Sequence, residues 1–202
     1  SKENFVEIGN HSHTHEYLID WEDHKIISDL ETSIKIFKEK LGYSPKIFSY
    51  PFGEYSSNLK KIVDNLNFEF AFGQHSGVID PTKDFLELPR FPINEKYGKL
   101  KRFKSILKTL PFPYKNITPE NRYLEKNENP PKIKIEFFEN LINIENINCY
   151  SNEGNIWRKS DIQFTNKNKL MILLKEKFKS ERGRINCSLW EEGGKWRWLG
   201  IQ

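Results

Sequence analysis

Six apolar residues between positions 24 and 41 (Ile26, Ile27, Leu30, Ile34, Phe37 and Leu41) recur at helical spacing, and Gly42 follows as a natural C-cap. The segments flanking this amphipathic helix have a different character. Residues 5–8, Phe-Val-Glu-Ile, form a short apolar stretch. Residues 46–50 read as a strand stopped by Pro51-Phe52-Gly53, and residues 68–72 as another. Ser56 and Ser57 can cap a second helix running to about residue 66, with Leu59, Ile62, Val63 and Leu66 on one face. Strand, helix, strand, helix, strand is an α/β alternation. It implies parallel strands whose C-terminal ends carry the loops where chemistry is usually placed.

The loops at those ends are the unusual ones. After the first strand comes Gly9-Asn10-His11-Ser12-His13-Thr14-His15, with three of the five histidines of the chain in five residues. His11 and His15 stand four apart, a spacing that turns two imidazoles toward one cation from a helical turn or from a tight bend. Neutral imidazoles suit zinc and its neighbours, and a third ligand would have to come from elsewhere. The competing reading is a solvated, His-rich turn. His13 is expected to point away from such a metal, and His24 reads as a polar surface residue. Gly73-Gln74-His75-Ser76-Gly77 follows the third strand on the same expected face. Arg90, between Pro89 and Pro92 in an otherwise apolar run, reads either as a snorkelling edge residue or as the buried partner of a carboxylate, and the rigid flanks favour the second. Residues 99–110 are expected to form a last, basic, amphipathic helix.

Periodicity then fails from residue 111, and residues 113–131 read as a linker, or as an extended crossing segment, between a domain at 1–112 and one at 132–202. The second domain shows short strands at 132–138, 143–150, 169–178, 183–190 and 195–201, with Gly193-Gly194 as a turn between the last two. A small β-sandwich is expected, with an immunoglobulin-like arrangement as one form of it. Trp190, Trp196 and Trp198 read either as a sugar-binding platform or as packing aromatics of the core and rim, the latter preferred. Cys149 and Cys187 sit in similar strand-like settings, either as a disulfide or as two buried thiols. A net charge of +4 from 32 basic and 28 acidic residues, without a basic run, gives no reason to invoke nucleic acid. No apolar run approaches the roughly 18 residues of a membrane span.

Taken together, residues 7–15, Tyr50-Pro51-Phe52-Gly53 and Leu88-Pro89-Arg90-Phe91-Pro92 resemble the polysaccharide deacetylase family, the NodB-homology domain of the carbohydrate esterases, over approximately residues 4–110. The resemblance implies a partial, distorted (β/α) barrel. It also implies a divalent metal, commonly zinc, on His11 and His15 with an aspartate as third ligand. Pro51-Phe52-Gly53 would form one wall of the groove, the Phe52 amide helping to hold the oxyanion, with Tyr50 beside them among the substrate or oxyanion residues. Three departures stand out. The family strand ending in two aspartates, third ligand and general base, would have to precede Ser1. The groove arginine is Ser49 here, leaving Arg90 to orient a carboxylate. The late Leu-x-His motif is absent, and His75 is the candidate replacement as general acid.

The implied function is a metal-dependent hydrolase that removes N-acetyl groups from a cell-envelope or extracellular polysaccharide. The implied location is periplasmic, cell-surface or secreted, with a signal peptide expected upstream of Ser1. The alternative is a catalytically inactive glycan-binding or scaffold protein on a truncated deacetylase fold. A third expectation is that a barrel lacking its first strand exposes neighbouring strand edges and aggregates.

Overall fold

The computed structural model describes residues 3, 5–138, 143–180, 182–191 and 193–202. Two compact units emerge: Ser1–Gln74 with Pro81–Leu88, and His75–Asp80 with Pro89–Gln202.

The first unit is α/β. Helix α1 (Asp23–Leu41) ends on Gly42, whose φ of 81° is the left-handed value a glycine adopts without a Cβ penalty. Its inward face carries Ile26, Asp29, Leu30 and Ser33, the i, i+3, i+4, i+7 set of a helix packed along one side. Strand β1 (Ile47–Ser49) and strand β2 (Phe70–Phe72) pair in parallel, joined through α2 (Ser57–Asn65), whose N-terminus is capped by Ser56 Oγ accepting the Leu59 N–H. The expected first strand is reduced to a single parallel bridge, Asn10 to Phe48, and a second bridge joins Phe72 to Leu88. Positions 10, 48, 72 and 88 therefore form a parallel series in chain order, with α1 and α2 making the first two crossovers. Phe48, Tyr50, Leu59, Val63 and Ala71 pack with Ile26 and Leu30 beneath it.

The second unit holds α3 (Leu100–Ile106) and two sheets. One is five-stranded, in the order β3 (Leu110–Pro111), β11 (Lys195–Ile201), β10 (Ile185–Glu191), β6 (Asn148–Ser151) and β7 (Arg158–Lys159). The other runs β4 (Tyr114–Thr118), β5 (Ile133–Phe137), β9 (Lys169–Leu173) and β8 (Asp161–Asn166). Both sheets feed one apolar core, in which Ile135, Phe137 and Ile172 meet Cys149, Cys187 and Leu189. The unit is a two-sheet β-sandwich.

Several expectations change here. The last helix stops at Ile106, and Leu110 pairs with Arg197 in the sheet instead. Residues 113–131 are not only a linker: Tyr114–Thr118 pairs with Ile133–Phe137 because its Ile117 has a core to enter. The strand expected at 143–150 starts only at Asn148, and the one expected at 169–178 ends at Leu173. The cysteines are disulfide-bonded, and the bridge joins paired neighbours β6 and β10 within one sheet. The immunoglobulin pattern carries its bridge between sheets. Among the described residues, no helix is long and apolar enough to cross a membrane.

Candidate functional site

The site is built on the C-terminal ends of the parallel series in the first unit. Asn10 is locked into it by its own backbone, receiving Ser49 N–H (2.9 Å) and donating to Ile47 O (2.8 Å). Its side chain is buried. Nδ2 donates to Ser33 Oγ (2.9 Å), and Oδ1 accepts Ser12 N–H (2.9 Å), turning the chain sharply out of the strand. Ser12 takes φ 65° and His15 φ 57°, and Ser12 Oγ accepts His15 N–H (2.9 Å). A non-glycine residue in the left-handed region costs energy and persists only where its surroundings over-determine it. Here the over-determining group is Asp29 of α1, whose two carboxylate oxygens accept His13 N–H and Thr14 N–H at 3.0 Å each.

The result brings His11 and His15 together, ring centroids 4.7 Å apart and edge-to-face, both exposed. His11 Nδ1 lies 2.6 Å from the Ser49 carbonyl oxygen. A carbonyl can only accept, so Nδ1–H donates to it, and in the neutral ring this leaves the lone pair on Nε2, the tautomer a metal-binding imidazole needs. The fit to a divalent metal is therefore that of two ligands. Among the described residues, no third His, Cys, Asp or Glu completes a group that could hold an ion.

Phe52 is the other member. It sits in a 3-10 turn, Pro51–Gly53, with φ 57°, and its ring lies 4.9 Å from His15 and 5.7 Å from Tyr17. Gly53 is obligatory behind it: φ is 81°, and a Cβ would come within 2.3 Å of Gln74 Cγ. Of the four expected groove residues only Phe52 is exposed. Tyr50 lies inside the first unit. Its ring is fully buried between Phe48 and Tyr55, and its hydroxyl donates to Leu86 O (2.8 Å). Burial pushes its phenol pKa far up, so it is a neutral core residue.

His75 and Arg90 belong to the second unit. There Arg90 N–H donates to His75 O (3.0 Å), and burial lowers the guanidinium pKa. Asp29 and Ser33 were not anticipated. Their signal was available: both are polar and stand on the stripe of α1 otherwise occupied by Ile26 and Leu30.

Residues 1–71 match the family model described as polysaccharide deacetylase. Over this segment the chain is similar to polysaccharide deacetylases. Among solved structures, the Streptococcus pyogenes deacetylase PplD in complex with acetate overlaps at 19% identity and TM-score 0.40, over 41% of this chain and 37% of that one. IcaB from Ammonifex degensii overlaps at 20% identity and TM-score 0.40, over 44% and 42%. The BpsB deacetylase domain from Bordetella bronchiseptica overlaps at 15% identity and TM-score 0.33, over 37% and 28%. The chain thus spans less than half the length of each. No curated protein matches it.

Proposed function

We propose that the chain carries part of the site of a metal-dependent hydrolase that removes N-acetyl groups from a cell-envelope or extracellular polysaccharide. The observation that carries this reading is the pairing of His11 and His15, 4.7 Å apart, at the end of a parallel series in a segment of deacetylase type. His11, its tautomer set by Ser49 O, and His15 would hold the ion, with zinc favoured by imidazole ligands. An aspartate outside the described residues would complete the set in this reading, and a second would be the base. A bound divalent metal supplies Lewis-acid polarisation of the acetamide carbonyl and a water of lowered pKa. The chain's own part is positional. Asp29 and Asn10 hold the His loop, Phe52 walls the His15 side, and the Phe52 backbone N–H is assigned to the oxyanion. A location outside the cytoplasm fits the Cys149–Cys187 disulfide.

The test is acetate release from an N-acetylglucosamine polymer by the protein as its cell produces it. Release that is abolished by chelator, restored by zinc and lost in His15→Ala is the expected result. Polymer binding without acetate release under any metal would replace this reading with a glycan-binding scaffold.

A further inference from the structure

We propose that the outer face of the five-stranded sheet, around Tyr150, Trp190 and Trp196, is a binding surface for an uncharged glycan chain. The inference rests on the polysaccharide reading only for the choice of sugar.

Side-chain alternation defines the face. On β10, Ile185, Cys187 and Leu189 are buried, so Asn186, Ser188 and Trp190 point the other way. Register adds their neighbours: Tyr150 opposite Asn186, Asn148 opposite Ser188 and Trp196 opposite Trp190. Tyr150 is 45% exposed, Trp190 47% and Trp196 41%, which for side chains of this size leaves a substantial part of each ring in water. The two tryptophan rings stand 4.7 Å apart and edge-to-face, so one presents its face beside the other's edge. Trp198 lies on the same face but packs 6.2 Å from Phe91. Trp198 thus takes a packing role, whereas Trp190 and Trp196 pack edge-to-face on each other with large exposed areas.

Charge selects the occupant. Charged residues make up 30% of the chain, yet the six positions Asn148, Tyr150, Asn186, Ser188, Trp190 and Trp196 carry none, and the nearest cation by register is Lys159, opposite Tyr150. A lipid headgroup or an acidic polymer would call for cations in the middle of the surface. Amides and a hydroxyl set between aromatic rings instead match a ligand with apolar C–H faces and a ring of neutral hydroxyl and acetamide groups. Tyr150 and Trp190 are separated by four residues of strand, about 14 Å, so the surface suits several sugar units and not one.

The experiment titrates the full chain with an N-acetylglucosamine hexamer, following tryptophan fluorescence and the indole N–H resonances. Saturable binding that perturbs the Trp190 and Trp196 signals, and that weakens roughly tenfold or more in Trp190→Ala with Trp196→Ala, is expected. The indole perturbation in the unaltered protein reads the site without relying on the variant. Binding that leaves both indole signals unmoved overturns the proposal, as does a hexamer that does not bind. A concentration-dependent mass in sedimentation that the double variant abolishes also overturns it, making the face a contact between copies. Failure here is separable from failure of the hydrolase reading. Acetate release that depends on His15 can persist when the tryptophan variants do not bind, and binding through the tryptophans can persist when no acetate is released.

Discussion

Asp29 receives two backbone N–H groups from one loop, His13 and Thr14, one on each carboxylate oxygen at 3.0 Å. The carboxylate is buried on α1, so these are charge-assisted bonds shielded from solvent. They hold the peptide that separates His11 from His15, which makes Asp29 a positioning residue for both rings. Asp29→Asn keeps the shape but turns an amide N–H toward a backbone N–H. The expected outcome is a loss of about 2 kcal/mol in unfolding free energy together with roughly 10-fold to 100-fold weaker zinc binding. Calorimetric metal titration of the folded variant checks this. Unchanged zinc affinity in a destabilised variant would reduce Asp29 to a purely structural role.

Gly53 tests the groove-side turn in the same way. An alanine there meets both a left-handed backbone and Gln74, whose Cγ, Cβ and N lie within 2.6 Å of the added carbon. Gly53→Ala should cost about 1–3 kcal/mol from the backbone alone, and more from the clash with Gln74 N, which cannot rotate away. Phe52 should move with it. Denaturant unfolding measures the first effect, and a shift of the His15 ring resonances the second. A variant as stable as the parent would mean the turn adapts freely.

The helices and the His pair were legible in the sequence for a simple reason: their signals are local. Ile26 to Leu41 repeats at helical spacing, Ser56 caps, Gly42 terminates, and His11 and His15 are near in sequence as well as in space. What escaped depends on distant partners. Tyr150 and Trp190 share a face only because Cys149 pairs with Cys187 across 38 residues. Strand Tyr114–Thr118 forms because Ile133–Phe137 lies beside it, although Pro, Asn and charge dominate the surrounding composition. The burial of Tyr50 is hidden from the sequence for a related reason. Its neighbour Phe52 turns outward, but Tyr50 N–H still donates to Phe72 O (3.1 Å) as strand backbone, and its ring follows the buried side.

Alkaline pH should weaken the first unit through two groups. Burial lowers the pKa of Lys60, but its bonds to Asp84 (2.7 Å) and Glu87 (2.9 Å) outweigh that and raise it above the ordinary 10.5. Burial, reinforced by the nearby negative charge of Tyr55, Asp84 and Glu87 on ionisation, raises Tyr50 above the ordinary 10.0. A folded-state pKa above the unfolded one gives stability that is complete below the unfolded value and is lost as pH climbs toward the folded one. Unfolding free energy is therefore expected to stay level from neutral pH to about 9 and to fall beyond about 10. Lys60→Met should lower stability at pH 7 by about 2 kcal/mol and make the alkaline decline shallower. A decline of unchanged slope would assign it to Tyr50 and the remaining groups instead.

The disulfide makes a prediction confined to the second unit. Cys149 and Cys187 are buried and paired across β6 and β10, and the bridge closes a loop of 38 residues that includes β7, β8 and β9. Cross-linking positions that far apart removes loop-closure freedom from the unfolded chain, worth about 4 kcal/mol for a loop of this length. Cys149→Ala with Cys187→Ala also removes two sulfurs from a core shared by Ile135, Ile172 and Leu189, so it should cost somewhat more than reduction alone. Trp21 lies in the first unit, whereas Trp157, Trp190, Trp196 and Trp198 lie in the second, which lets fluorescence separate the two. Adding reductant is expected to lower the transition reported by the four second-unit tryptophans and leave the transition reported by Trp21 in place, measured in a variant with the other tryptophans replaced by phenylalanine. Equal shifts in both reporters would mean that the two units unfold as one.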